Sequence, residues 1–247
     1  MKDKYMWQAR VLPAFALMLP FFIEINAMMG RVGTKIVFPS VIANTSMTLL
    51  IIIFANLCRY FGKKKEKSLF KKWGGAPTTR FLRFSNTEYN MYNREMVKAY
   101  WRRMVHDVPV PSEKEEIDDP KQADLAYEAF VNRLRADARS SNLFPLLRAD
   151  NRNYGMWRNL YSIKMFSILC CLLLIAGNVV LTIRFPSFMD LQTCCVISAL
   201  LFLMALLWIF VVGEGKVKQA AENYAERLFE TCYVNRDQIK EGISKTK

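Results

Sequence analysis

The stretch "MFSILCCLLLIAGNVVLTI", Met165–Ile183, contains 19 residues without a charged side chain. A helix needs about 20 mostly apolar residues to cross a bilayer, so this stretch predicts a transmembrane span. Similar stretches predict spans at Val11–Met29, at about Ile36–Phe61 and at Leu191–Val212. The first stretch could also belong to a signal peptide, but Glu24 interrupts it and no clear small-residue cleavage site follows, so we expect a retained helix.

The distribution of positive charge predicts how these spans are oriented. Residues 62–160 hold 20 Lys or Arg, whereas the short connections within the two pairs of spans hold Arg31, Lys35 and Arg184. Because Lys and Arg stay in the cytoplasm, the middle block and both termini are expected to be cytoplasmic. The predicted fold is an all-α membrane protein with four transmembrane helices, a helical cytoplasmic domain between spans 2 and 3, and a C-terminal cytoplasmic helix. The predicted domains, in chain order, are a transmembrane hairpin at 1–61, the basic cytoplasmic domain at 62–164, a second transmembrane hairpin at 165–212, and the C-terminal cytoplasmic helix at 213–247.

Helical patterns recur inside the cytoplasmic block. Tyr92, Met96, Tyr100 and Met104 are spaced by four residues, which predicts an amphipathic helix. The segment 108–120 is typical of an exposed acidic loop.

A second helix follows that loop. Asp118 or Asp119 can cap it, Pro120 suits its first position, and it is expected to end near Arg139. Further along, Pro145 and Gly155 predict breaks.

The tail after residue 213 also has a helical pattern. Ala220, Tyr224 and Leu228 share one face, and we expect this helix to continue the fourth span.

Catalytic and metal-binding patterns are missing from the sequence. His106 is the only histidine, so a catalytic triad and a zinc site are not expected. No glycine-rich nucleotide loop occurs, and the acidic cluster between residues 113 and 119 lacks the ligand spacing of a calcium loop. The six cysteines lie mostly in apolar stretches and do not form a disulfide framework. We therefore expect neither an enzyme nor a bound cofactor; an intramembrane enzyme would need a catalytic partner for Glu24.

The basic residues are the best candidates for ligand binding. The net charge of +13 favours anionic partners such as nucleic acid, nucleotides or lipid headgroups. In "KKWGGAPTTRFLRF", residues 71–84, two glycines can expose backbone amides as an anion nest, and threonines and arginines can bind phosphate. Alternatively, the lysines attract membrane lipid, and the turn is structural, with salt bridges to the acidic loop. The candidate ligand contacts are Lys71, Lys72, Gly74, Gly75, Thr78, Thr79, Arg80, Arg83, Arg133, Arg135 and Arg139.

Polar side chains inside the first two spans are candidates for a pore. An ionised Glu24 in hydrocarbon would cost several kcal/mol, so it needs a partner, a water-filled cavity, or access to the outer interface. Asn44 and Thr48 share a face of the second span, and Asn56 lies further along. Four helices are too few to enclose an aqueous pore, so a pore would need several copies in a ring, and four are expected. The alternative is hydrogen bonding between helices within one bundle.

Several motifs resemble a family of bacterial four-span proteins. They are "GGAPTTRFLR", "DDPKQADLAY", "LRADAR" and "FPLLRADNRNYGMWRNL", in that order, followed by two spans. Ala138, Asp150 and Trp157 stand where the family has Thr, Glu and Arg. The chain resembles the membrane effectors of Hailong-type anti-phage defence systems.

That resemblance implies an oligomeric ion channel in the bacterial inner membrane. A nucleotidyltransferase encoded nearby would make a single-stranded DNA oligomer that binds the cytoplasmic side and holds the channel closed. Loss of the DNA during infection would open it and depolarise the cell, as in abortive infection. The alternative is a non-conducting membrane anchor that recruits a soluble partner enzyme.

Overall fold

The computed structural model describes residues 7–31, 37–140, 144–187 and 189–233, which form helices and no strand. A π-helical turn, Trp7–Val11, comes first. The α-helices of the described residues are α1 Leu12–Arg31, α2 Val37–Lys72, α3 Pro77–Arg80, α4 Met91–Met104, α5 Glu113–Asp118, α6 Pro120–Ser140, α7 Pro145–Arg184, α8 Leu191–Val211 and α9 Glu214–Glu230.

Four of these helices are long and apolar enough to cross a membrane. They are α1 with the preceding π-helical turn, α2, α7 and α8. The sequence predicted a span in each of these helices, and the all-α fold with four transmembrane helices is confirmed.

Two of the spans are parts of much longer helices. α2 has 36 residues and includes the whole lysine-rich run 63–72, and α7 has 40 residues. Pro145 begins α7, as expected of proline in a first helical turn. The predicted break at Gly155 is wrong, because α7 continues through it. One glycine costs a helix about 1 kcal/mol, which is too little to break a well-packed helix of this length.

The chain forms two compact units. The first, here called the membrane unit, contains residues 7–66 and 152–217 of the described chain, and the second, the polar unit, contains residues 67–151 and 218–233. The divisions fall inside α2, α7 and α9. They differ from the predicted domain boundaries after 61, 164 and 212, because α2 and α7 extend past their apolar segments as single helices.

Apolar side chains hold the membrane unit together. Met47, Ile51, Ala55 and Cys58 recur at helical spacing along α2 and are buried in a cluster that includes residues of α1, α7 and α8. A second cluster lies on α8 and includes Met189, which precedes that helix. The opposite side of α2 is exposed in the protomer.

Stacked aromatic rings form the core of the polar unit. The Trp101 and Phe130 rings stack with centroids 4.4 Å apart, and Tyr127 lies edge-on to Trp101. α9 contributes Leu228 and Phe229 to this core, and the helix predicted for the tail is confirmed. Of the three residues predicted to share a face, Ala220 and Leu228 are buried and Tyr224 is partly buried. The tail does not continue α8, however, because Val212 is extended and a new helix begins at Glu214.

The predicted helix at α4 is confirmed, but of its apolar repeat only Tyr100 packs against the core. Tyr92, Met96 and Met104 are 74%, 47% and 58% exposed, whereas Val97 and Trp101 are fully buried. The stacking of Trp101 on Phe130 fixes which side of α4 is inside, and it overrides the four-residue repeat.

The acidic segment is not simply an exposed loop. Ser112 forms a capping box with Glu115 and begins the short helix α5. Within it, Glu116 is buried. After it, the Asp119 side chain accepts a bond from the Gln122 amide, and Pro120 is the first residue of α6, as predicted.

Candidate functional site

Three of the four candidate pore residues lie on the outer side of the membrane unit. Thr48 and Asn56 are exposed and Asn44 is partly exposed. Asn26 of α1 is exposed too, and its amide nitrogen donates to the Asn44 amide oxygen over 3.2 Å. The Thr48 hydroxyl donates to the Asn44 carbonyl over 2.9 Å. We call Asn26, Asn44, Thr48 and Asn56 the polar face, although exposed apolar residues such as Ile52 and Ile53 lie among them on α2.

Polar side chains on the outside of a transmembrane helix are unusual. Amides and hydroxyls exposed to hydrocarbon lose their hydrogen bonds with water, and such groups normally face a neighbouring helix or a water-filled cavity. The Asn26–Asn44 bond between α1 and α2 is of the kind that the alternative, hydrogen bonding between helices of one bundle, predicts. These side chains nevertheless remain exposed or partly exposed on the outside of their own protomer. The face therefore fits a contact with other copies, or a lumen that those copies enclose.

Glu24, the fourth candidate pore residue, lies elsewhere. It is 5% exposed, and its Oε2 accepts a hydrogen bond from the Asn178 side chain of α7 over 3.1 Å. Glu24 thus lies in the interior of the membrane unit. Of the three possibilities that the sequence left open, the structure shows a buried hydrogen-bond partner. The sequence did not single out Asn178 as that partner.

The double glycine of the basic motif ends helix α2. The Gly75 amide donates to the Phe70 carbonyl over 2.8 Å, and the Gly74 amide donates to the Lys71 carbonyl over 3.4 Å. This pair of bonds is the Schellman motif, whose left-handed position is Gly74 with φ of +77°. Both amides are therefore engaged and are not available for the predicted anion nest.

The two arginines after this turn bind residues of the polar unit. Arg80 donates to Glu88 and, over 2.6 Å, to Glu222 of α9. Arg83 forms two bonds with Asp124 of α6, over 2.8 and 2.6 Å, and a third with the Gly74 carbonyl. The Asp124 hydrogen bond raises the pKa of Arg83 above its usual value. These contacts agree with the alternative prediction of a structural turn held by salt bridges, but their acidic partners lie outside the segment 108–120 in which they were expected.

The threonines and Arg135 are also part of the packed interior. Thr78 and Thr79 are buried. The Arg135 guanidinium donates to the Thr78 hydroxyl over 3.4 Å and lies 5.8 Å from the centre of the Tyr224 ring. In this conformation, these three residues present little surface to a ligand.

The remaining candidate ligand contacts are exposed. Lys71, Lys72 and Arg139 lie on the surface, as does Arg133, whose side chain is 61% exposed and 3.8 Å from Asp137. The surrounding charge is nearly balanced, because residues 67–151 contain 15 Lys or Arg and 12 Asp or Glu. An anionic ligand would therefore depend on these exposed cations and not on a strongly positive domain as a whole.

A buried polar network supports the basic motif, and no pattern in the sequence predicts it. Arg94 donates to the Arg83 and Asn86 carbonyls over 2.8 and 2.9 Å. The Glu116 carboxylate accepts from the Phe84 amide over 3.0 Å and from the Tyr127 hydroxyl over 2.6 Å. Burial, and then the bond to Glu116, raises the pKa of Tyr127. Neither Arg94 nor Glu116 differs in sequence context from the surface charges around it.

Lys98 is fully buried among aromatic rings. Its ammonium nitrogen lies 3.0 Å from the centre of the Phe84 ring and 5.7 Å from that of Tyr127. It has no hydrogen-bond acceptor among the residues that the structure describes. Burial lowers the pKa of Lys98 to about 8.

A second polar network lies in the membrane unit, at the cytoplasmic end predicted for spans 2 and 3. Arg158 and the Tyr154 hydroxyl both donate to Glu66, over 2.7 and 2.8 Å. The Asn159 amide donates to the Ala9 carbonyl over 2.7 Å. The "NYGMWRN" motif therefore joins α7 to α2 and to the π-helical turn.

A metal site is not evident in the described parts of the chain, which contain no group of three His, Cys, Asp or Glu side chains able to hold an ion. The six cysteines all lie in described parts of the chain and form no disulfide. Comparison with protein-family models, with curated proteins and with solved structures finds no match to this chain. The resemblance to Hailong-type effectors therefore remains a prediction from the motifs.

Proposed function

We propose that this protein is an oligomeric ion channel of the bacterial inner membrane and an effector of anti-phage defence. A single-stranded DNA oligomer, made by a nucleotidyltransferase encoded nearby, binds its cytoplasmic side and holds it closed. The observation that carries the channel proposal is the polar face of Asn26, Asn44, Thr48 and Asn56, which is directed away from the protomer core.

In a ring of copies, the polar face would line a water-filled lumen. One four-helix protomer has no room for a lumen, whereas four protomers with their polar faces toward a common axis would enclose one. The amides and hydroxyls would then contact water and ions, and the exposed apolar positions on α7 and α8 would contact lipid.

The ligand part of the proposal depends on the exposed cations. Arg133 and Arg139 can bind phosphate oxygens, with Lys71 and Lys72 assisting, whereas Arg80, Arg83 and Arg135 hold the domain that presents them. Gating is then a population shift, in which DNA binds the closed ring better than the open one.

The channel is tested by expression without the nucleotidyltransferase. The wild-type protein should depolarise the cells, and the combined Asn44→Leu, Thr48→Val and Asn56→Leu variant should be tolerated at equal membrane abundance. The matched control, Ile52→Val with Ile53→Val, changes exposed apolar positions of the same helix and should remain toxic. A wild-type protein that leaves the membrane potential intact would contradict the channel.

DNA binding is tested separately with purified protein and a labelled single-stranded oligomer. Affinity should fall as salt rises, and Arg133→Ala with Arg139→Ala should weaken binding and reduce the salt dependence by about one counterion per lost phosphate contact. Lys121→Ala, another exposed cation on α6, is the control. Affinity that is unchanged between low and moderate salt would rule out phosphate contacts.

One observation favours the alternative, a non-conducting anchor for a soluble partner. The exposed stripe of Tyr92, Met96 and Met104 on α4 is the kind of apolar helix face that binds another protein. If the protein is an anchor, Tyr92→Ser with Met96→Ser should abolish recruitment of that partner. Expression of the wild-type protein alone would then be harmless.

A further inference from the structure

The membrane unit contains a buried carboxyl group with one unpartnered oxygen. Glu24 is 5% exposed, and Asn178 donates to its Oε2 over 3.1 Å. Its Oε1 is buried and has no hydrogen-bond partner among the described residues. A buried carboxylate normally has both oxygens engaged, so this arrangement needs a chemical explanation.

The neighbouring segments offer no counter-charge. Residues 11–29, 37–58, 165–183 and 191–211 contain no Lys or Arg. Arg31 lies seven residues after Glu24, and Arg184 lies six residues after Asn178, which is about 9–10 Å along a helix axis. The cluster that packs against Ile23 and Ala27 contains the Cys194 thiol, and the Asp190 carboxylate, which caps α8, directly follows Met189 of that cluster.

The depth of the pair agrees with the predicted spans. Glu24 lies five residues before the end of the first predicted span, and Asn178 lies five residues before the end of the third. Both spans are predicted to run in the same direction, so the two side chains meet at the same level inside the membrane. Five residues correspond to about 7.5 Å along a helix axis, so this level lies inside the predicted apolar layer.

An ionised carboxylate in this position would be strongly unfavourable. Burying an unpaired charge costs several kcal/mol, and one amide hydrogen bond does not offset that cost. The neutral acid avoids it, because Oε2 keeps its bond from Asn178 while Oε1 carries the proton. We propose that Glu24 is a proton-binding site and is protonated in this packing of the spans.

This proposal has a consequence that rests on the proposed channel function. If opening separates α1 from α7 and admits water, the Asn178 bond is lost and the carboxylate becomes solvated. Opening would then release one proton from each protomer, and alkaline conditions on the side reached by water would favour the open state. Glutamine has the shape of the neutral acid and cannot ionise, so Glu24→Gln should favour the closed packing.

Infrared spectroscopy tests the proton site without reference to conduction. Purified protein in lipid vesicles at neutral pH should show the carbonyl stretch of a protonated carboxylic acid, which shifts to lower frequency in D₂O. Glu24→Gln should remove this band, and Glu128→Gln, which changes an exposed carboxyl group, should retain it. The D₂O shift needs no variant, so poor folding of Glu24→Gln would not hide the result. Lack of the band, or a band insensitive to Glu24→Gln, would overturn the proposal.

Bilayer recordings separate the proton site from the channel. A wild-type channel that opens more readily at higher pH, with the pH response lost in Glu24→Gln, would support proton-coupled opening. A conducting channel with the same pH response in both proteins would overturn that coupling. A protein that shows the Glu24 band but never conducts would contradict the channel and leave the proton site established.

Discussion

Gly74 has a backbone conformation that other residues adopt only at a cost. Its φ is +77°, and an added Cβ would meet no atom within 4 Å, so the penalty of a side chain would come from the backbone alone. Gly74→Ala should therefore lower the stability of the protein by about 1–2 kcal/mol. Thermal unfolding in detergent measures the change.

Gly215→Ala is the matched control for this prediction. Gly215 lies within α9 and also has open space at the position of a Cβ. Alanine there should raise stability by about 0.5–1 kcal/mol. Equal effects of the two substitutions would contradict the assignment of Gly74 as the helix terminator.

Lys98 gives the polar unit a specific pH dependence. Its pKa falls to about 8 in the folded protein because of burial, below the ordinary 10.5 of the unfolded chain. Between these values, the unfolded chain binds more protons, so stability should rise with pH by at most about 1.4 kcal/mol per pH unit. Below pH 8, Lys98 is charged in both the folded and the unfolded wild-type chain, so the full free-energy cost of burying its charge lowers the stability of the folded protein.

Comparison with Lys98→Met isolates this contribution. From pH 8 to pH 10, the unfolding free energy of the wild type should increase relative to that of Lys98→Met. Parallel stability profiles of the two proteins over that range would show that Lys98 does not titrate as described.

The residues of the basic motif stand out in the sequence, but their intramolecular partners do not. The sequence indicates Arg80, Arg83 and the double glycine, because charge and glycine stand out in a chain. It does not indicate that Asp124 and Glu222 pair with these arginines, since those contacts depend on how α6 and α9 fold back. Burial of Arg135 and Thr78 likewise depends on tertiary packing.

The close approach of α2 and α7 depends on Gly62. A Cβ at this position would lie 1.9 Å from the Asn159 Oδ1 and 3.0 Å from its Cγ. Gly62→Ala should displace the Asn159 side chain, weaken its bond to the Ala9 carbonyl, and destabilise the membrane unit by about 1–3 kcal/mol. The loss should appear as a lower unfolding temperature in detergent.

Gly177→Ala provides the control, since a Cβ there meets no atom within 4 Å. It lies on α7, like Asn159, and should unfold at the wild-type temperature or slightly above it, since alanine is the better helix former. A stable Gly62→Ala protein would show that α2 and α7 can separate at little cost.

The sequence predicts which segments are helical better than it predicts which side of each helix faces the core. Long uncharged stretches identify spans because no other structure satisfies the backbone in a bilayer. The inward side of α4 was not apparent, because Tyr92 and Met96 are as apolar as the buried Val97. The break at Gly155 was predicted from local propensity, which the packing of a 40-residue helix overrides.

In the membrane, the protein is expected to be a homo-tetramer. The polar face leaves amides and hydroxyls on the outside of the protomer, and association of copies would remove them from lipid. Native mass spectrometry of the wild-type protein from detergent should show four copies. A wild-type monomer at all protein concentrations would contradict the ring.

The most direct measurement of the central claim is the reactivity of position 56 in a conducting channel. In a Cys195→Ser background, which removes the exposed native thiol, Asn56→Cys should conduct in a planar bilayer without DNA, and a water-soluble thiol reagent should block the current. Val196→Cys, on the exposed side of α8, should conduct and resist the reagent. Current that persists unchanged in Asn56→Cys after exposure to the reagent, or no current from the unliganded protein, would contradict a pore lined by the polar face.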